Sequence, residues 1–136
     1  MIQKLSADTN ALTWFEIPVE NMQRARKFYE TILDIKMETM GKDTPEEQTI
    51  FFPRKPDTIM ALSGILSGAL VKSARIKPGQ DGPLIYLNAN PSIQTVIDKI
   101  EPAGGKLIAP KIKIPAGLIA VFLDTEGNKM ALHAAE

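Results

Sequence analysis

The sequence predicts an α+β fold built from two copies of one small unit, and three observations carry that prediction. A strand with two unlike faces runs into an amphipathic helix near the N-terminus, and the same arrangement returns in the second half of the chain. Short strand-like runs follow each helix, and a Pro and Gly cluster, "IKPGQDGP" at residues 76–83, separates the copies. Such an order argues against a doubly wound parallel sheet, in which strands and helices would alternate throughout.

The first strand is carried by "TWFEIPVEN". Phe15, Ile17 and Val19 alternate with Trp14, Glu16 and Pro18, so one face is uniformly apolar and the other mixed. Asn21 stands at a helix N-cap position. Met22, Ala25, Phe28, Tyr29, Ile32 and Leu33 then recur at helical spacing, with Arg24, Arg26, Lys27 and Glu30 on the opposite side. Strands are expected at 35–40, 49–52, 59–62 and 69–72. In the second copy Ile85, Leu87 and Ala89 alternate with Leu84, Tyr86 and Asn88, Ser92 is placed to cap a helix carrying Ile93, Val96, Ile97 and Ile100, and Gly104 and Gly105 close it. Strands are expected at 106–109, 119–123 and 129–133. The run "DTEGN" at 124–128 should turn the last two into a hairpin. The remaining loop prolines, such as Pro45, Pro53 and Pro56, are expected outside the strands.

The chain has 136 residues, enough for a single domain covering 1–136 with modules at about 11–75 and 83–135. Sixteen basic residues balance sixteen acidic ones, so the global pull toward nucleic acid or anionic lipid is missing. A small organic ligand or a protein partner fits this balance better. Without cysteine there is no disulfide, thiolate ligand or cysteine nucleophile. No apolar run reaches the length of a signal-peptide core or a membrane span, so a soluble, cytoplasmic protein is expected.

"FEIPVENMQRARKFYETIL" followed by "FLDTEGNKMALH" resembles the vicinal oxygen chelate superfamily, which includes glyoxalase I, bleomycin-resistance proteins and extradiol dioxygenases. The resemblance runs from about Ala11 to Ala134 and is strongest at Arg24, Phe28, Tyr29, Asp124, Gly127 and Asn128, while Asp34 departs from the glycine frequent after the first helix. It implies paired βαβββ modules forming a U-shaped, partly open β-barrel around a pocket, and a homodimer. In metal-using relatives two histidines and two glutamates hold a divalent ion. The match puts Trp14 and Leu84 at the histidine positions and Ala131 at a glutamate position, and the run Ala69–Lys72 offers no donor for the other. No metal and no cofactor are therefore expected.

Because the apolar strand faces must meet the helices, the opposite faces are left for the pocket. Trp14 and Glu16 come from one module, and Leu84, Tyr86, Asn88, Ala131 and His133 from the other, with Leu70 and Lys72 as further candidates. Glu16 in a closed cavity would serve as general base, with Tyr86 or His133 as polarising donor. On an open strand face the same carboxylate is simply solvated. A lone histidine near a C-terminus is more often a pocket-wall or surface group than a ligand. Trp14 and Tyr86 would form an aromatic wall for a flat ligand, or Trp14 merely plugs the space of a lost metal site. Lys72 and Arg75 would neutralise an anion, or face solvent. Neither "LSGILSGALVKS" nor "EPAGGKL" is a nucleotide loop, since the first lacks a following GK[ST] and the second ends a helix instead of starting one.

Three functions remain. One is a glyoxalase-like lyase or isomerase without the usual metal, which would still bind a small organic molecule. Another is a non-enzymatic ligand-sequestering protein of the bleomycin-resistance type. The third is a structural or regulatory module with no ligand.

Overall fold

A computed structural model describes residues 4–57 and 64–136. The first half holds β1 (Trp14–Pro18), α1 (Met22–Leu33), β2 (Glu38–Asp43), β3 (Gln48–Phe51) and β4 (Ser67–Lys72). The second holds β5 (Tyr86–Asn88), α2 (Ile93–Ile100), β6 (Lys106–Ile114), β7 (Gly117–Leu123) and β8 (Lys129–Ala134). They form two four-stranded sheets of matching order, β1-β4-β3-β2 and β5-β8-β7-β6. In each sheet the first strand runs parallel to the last, and the other pairs are antiparallel. The α+β fold of paired βαβββ modules is thus present, as two mixed sheets with two helices and no closed barrel.

Local chemistry explains where α1 begins and ends. The Asn21 side chain accepts from the Arg24 amide at 3.0 Å, satisfying one of the free N–H groups of the first turn. Asp34 ends the helix in the left-handed region at φ 53°, with its amide bonded to the Glu30 carbonyl. This is the conformation glycine adopts most cheaply. Ser92 occupies the corresponding cap of α2 but makes no side-chain cap bond, and the Ile93 amide donates instead to the Glu136 carbonyl at 2.9 Å.

The core lies between the helices and one face of each sheet. Ile17, Val19, Leu70, Leu87, Ala89, Met130 and Leu132 supply the strand side, and Phe28, Tyr29, Ile32, Ile93 and Ile100 the helix side. Gly68 on β4 is dictated by this packing, because a Cβ there would stand 2.5 Å from the Phe15 carbonyl and 2.6 Å from its ring. It sits in mid-strand, not in a phosphate loop.

Several boundaries differ from expectation. β2 starts three residues later than expected, because the Arg26 and Glu30 side chains hold the backbone of Met37 at the head of the strand at 2.6 and 2.9 Å. The strand expected at 59–62 lies outside the described residues. Residues 111–118, expected as a loop, complete a long β6–β7 hairpin that pairs out to Ile114 and Gly117. Pro110 stands within β6 after all, where β6 is the sheet edge and its register shifts, the position at which a strand tolerates proline.

A buried polar knot holds one module to the other. The Tyr29 hydroxyl donates to Asp124 Oδ2 at 2.7 Å, and Asn128 Nδ2 donates to the same oxygen at 2.9 Å and to the Pro18 carbonyl at 2.7 Å. Asp124 Oδ1 accepts the amides of Glu126 and Asn128. Burial, and then the adjacent Asp124 carboxylate, push the Tyr29 hydroxyl well above the usual phenol range. Glu126 reaches across to α1 from the same hairpin. Its Oε1 accepts the amides of Glu20 and Asn21 at 2.9 and 2.8 Å, and its Oε2 meets Arg24 Nε at 2.7 Å. Burial alone would raise this carboxyl, but the Arg24 guanidinium, the two amides and the Thr125 hydroxyl outweigh it and bring it down to about 2.

Candidate functional site

Strand register decides which side chains face away from the helices. On the first sheet Trp14 lies beside Ser67, Glu16 beside Ala69 and Pro18 beside Val71, with Phe51 on the far side of Ala69. On the second, Tyr86 lies beside Ala131 and Asn88 beside His133, with Val121 on the far side of Ala131 and Ile119 on the far side of His133. The period-2 alternation expected of β1, β5 and β8 therefore puts Trp14, Glu16, Tyr86, Asn88, Ala131 and His133 on the faces opposite the core. β4 has the opposite phase to the one that would expose Leu70. That side chain has no solvent exposure and packs in the core, while Ser67, Ala69 and Val71 turn outward.

Around Trp14 the face is aromatic and polar. Trp14 meets Phe51 edge-on, with ring centroids 5.4 Å apart, and the Arg54 guanidinium lies 5.2 Å from the Phe51 centroid. The indole N–H donates to Glu16 Oε2 at 3.4 Å, which holds the carboxylate beside the ring while leaving it exposed. Phe51 was not singled out from sequence. In "TIFFP" two adjacent phenylalanines must point to opposite faces once the segment is a strand, and this signal needed only the register to be read.

The second sheet's outward face is more open. Tyr86 is half exposed, Leu84 precedes β5 and is also exposed, and Ile112 extends the patch on β6. His133 Nε2 lies 2.8 Å from the Ala116 carbonyl. Because a carbonyl only accepts, that nitrogen carries the proton, and Nδ1 remains an acceptor in the neutral ring. Asn88 Oδ1 accepts the amide and side-chain nitrogen of Asn90, both at 2.9 Å.

Between the modules lies a cleft of about 530 Å³, bounded by Glu16 to Pro18, the linker from Ile76 to Pro83, and Asn128 to Met130. Glu16 faces it. Trp14, Tyr86 and His133 are not among its walls, so the expected catalytic trio is not gathered in this cavity. Lys72 borders a second hollow of about 410 Å³ with Glu20, Ser73 and Lys77. The linker roof is pinned by Asn128, whose Oδ1 accepts the Gly79 amide at 3.0 Å.

The donor set does not suit the divalent ion of metal-using relatives. The outward positions of β1, β4, β5 and β8 include Trp14, Glu16, Ser67, Ala69, Tyr86, Asn88, Ala131 and His133, in which Glu16 and His133 alone bring a carboxylate or an imidazole, and the Ser67 hydroxyl is taken by the Pro53 carbonyl at 2.8 Å. Among the described residues no three His, Cys, Asp or Glu side chains cluster as a metal site. Within the same residues no helix is long and apolar enough to cross a membrane.

The family model described as Glyoxalase/Bleomycin resistance protein/Dioxygenase superfamily matches residues 11–132. No curated protein matches the chain. Among solved structures, the trypanothione-dependent glyoxalase I of Leishmania major is similar at TM-score 0.64 and 15% identity, covering 93% of this chain and 88% of that one. A glyoxylase/bleomycin resistance protein/dioxygenase domain from Frankia sp. EAN1pec gives TM-score 0.64 at 14% identity, over 93% of this chain and 98% of its own. A glyoxalase-related enzyme from Fulvimarina pelagi gives 0.62 at 14%, over 90% and 86%. At such identities the likeness establishes the fold.

Proposed function

We propose, for a chain that belongs to the Glyoxalase/Bleomycin resistance protein/Dioxygenase superfamily, that it binds a small organic molecule between its modules without the superfamily's metal. The observation that carries this reading is the placement of Glu16. It is an exposed carboxylate held beside an indole at 3.4 Å, at the wall of a cleft of about 530 Å³ whose size suits a small ligand. In the catalytic form of the reading, Glu16 removes a proton next to a carbonyl and passes it back at the neighbouring carbon, the isomerase or lyase pattern of the glyoxalases. Tyr86 or His133 would then polarise the carbonyl, which requires them to reach the ligand from the second sheet. Trp14, Leu84, Asn88 and Ala131 lie beyond the cleft walls, and a ligand extending out of the cleft along the outward sheet faces would rest its body on them. Lys72 stands by the adjoining hollow for an anionic group.

The aromatic face favours a second reading. Trp14 edge-on to Phe51, with Arg54 over Phe51, makes a stacking surface that holds a flat ligand without any proton transfer, as sequestration of the bleomycin-resistance type requires. Under either reading the protein acts in the cytoplasm as a homodimer.

Trp14 is the one tryptophan of the chain and bonds Glu16 at the cleft wall, so its fluorescence reports on a ligand that engages that carboxylate. The glutathione hemithioacetal of methylglyoxal and bleomycin are the first probes. Quenching with turnover that Glu16→Gln abolishes at unchanged affinity supports catalysis. Quenching without turnover, insensitive to Glu16→Gln, supports sequestration. No spectral response to either probe or to a carbonyl and aromatic fragment set would contradict both.

A further inference from the structure

The two modules are repeats, yet their equivalent outer hairpins carry opposite charge. The β2–β3 segment, residues 38–48, contains Glu38, Asp43, Glu46 and Glu47 against Lys42. Its counterpart, β6–β7 at residues 106–123, contains Lys106, Lys111 and Lys113 and no acidic residue. Glu47 is neutralised locally by Lys42 at 3.3 Å and Arg75 at 4.0 Å. Glu38, Asp43, Glu46, Lys106, Lys111 and Lys113 are all exposed and take part in no ion pair among the described residues. Three exposed carboxylates on the outer hairpin of one sheet are therefore matched by three exposed ammonium groups on the equivalent hairpin of the other.

We propose that these hairpins are the contact between two copies of this chain, the acidic β2–β3 edge of one meeting the basic β6–β7 edge of the other. A two-fold axis makes the contact twice, since each copy offers one edge of each sign. Side chains carry the contact, because both edge strands are irregular and cannot extend a backbone ladder. β2 shifts register between Thr39 and Asp43, and β6 shifts twice around Ala109. Ile112, exposed on β6, supplies the apolar part. Edge lysines also keep strands from joining indiscriminately, and the same charges that repel a like edge select the opposite one. This inference rests on the homodimer reading above and adds to it the surface.

Sedimentation of the full chain over about a hundredfold range of concentration tests it. The expected result is a dimer that weakens as salt rises from about 50 to about 500 mM. Replacing Lys106, Lys111 and Lys113 together by Glu should weaken self-association at least about tenfold, and by Gln to an intermediate extent. Replacing Glu38, Asp43 and Glu46 by Lys should do the same. Mixing the two charge-reversed proteins should restore a dimer, now mixed, which also shows that both are folded. A wild-type monomer at every concentration would overturn both the homodimer reading and this surface. A dimer indifferent to salt and to both reversals, or reversals that weaken it without recovery on mixing, would overturn the surface alone.

Discussion

The knot between the modules and the outward sheet faces are built from opposite kinds of residue. In the knot the buried polar side chains are partnered: Tyr29 and Asn128 both bond Asp124, and Glu126 answers Arg24 and the amides of Glu20 and Asn21 just ahead of α1. On the faces, Glu16, Tyr86 and Asn88 are exposed, and Trp14 has one long hydrogen bond. Of the residues through which the chain most resembles its superfamily, Arg24, Phe28, Tyr29, Asp124 and Asn128 belong to the knot or to the core beside it, and Gly127 makes the turn between the last two. The lesson is that the likeness to the family lies mostly in how the two modules are clamped, while the outward faces carry residues of a different kind.

The comparison is broken most severely at Asp124. Asp124→Ala leaves Tyr29 and Asn128 without their buried acceptor and should cost roughly 3 kcal/mol or more in urea unfolding, with loss of cooperativity between modules. Next comes the pH response of Glu126. Its folded value lies near 2 and below the ordinary 4.5, so its contribution is complete above about pH 5 and is lost as pH falls toward 2. That contribution amounts to at most about 3 kcal/mol, since Arg24 is half exposed. Stability of Glu126→Gln should accordingly start lower at neutral pH and fall less steeply on acidification. Gly68→Ala should lose about 2 kcal/mol, because the new methyl meets the Phe15 backbone and not only a movable ring.

On the outward faces the same denaturation experiment should register little. Glu16→Gln and Tyr86→Phe should each stay within about 0.5 kcal/mol of wild type. A larger loss at either would mean that the face is part of the clamp. Asp34→Gly should stabilise by about 0.5–1 kcal/mol, relieving the left-handed conformation that an aspartate now holds.

How much of this was legible in the sequence follows from the range of the forces involved. The N-cap at Asn21, the alternation in β1 and the hairpin at 124–128 depend on neighbouring residues, and each is present in the fold. The phase of β4 was not legible: "SGALV" is small or apolar on both faces, and only its pairing with β1 turns Ala69 outward and Leu70 inward. The length of β6 was hidden by Pro110, which an edge strand accommodates at a register shift. Candidate site residues were read correctly as to face along β5 and β8. Their gathering around one cavity was beyond periodicity, because the separation of Glu16 from Tyr86 and His133 depends on how the modules and the linker at 76–83 are placed.

The clamp between the modules is fully bonded, while the outward faces hold no donor set suited to the divalent ion of metal-using relatives among the described residues. The most direct test is the divalent metal content of the untagged protein, measured after incubation with zinc, nickel or cobalt and extensive dialysis, alongside a cooperative unfolding curve from the same sample. The expected result is a cooperatively folded protein that retains far less than one equivalent of metal. One tightly held equivalent per chain would contradict it, and would require Glu16, His133 or a second chain to supply ligands where this chain presents Trp14, Leu84 and Ala131.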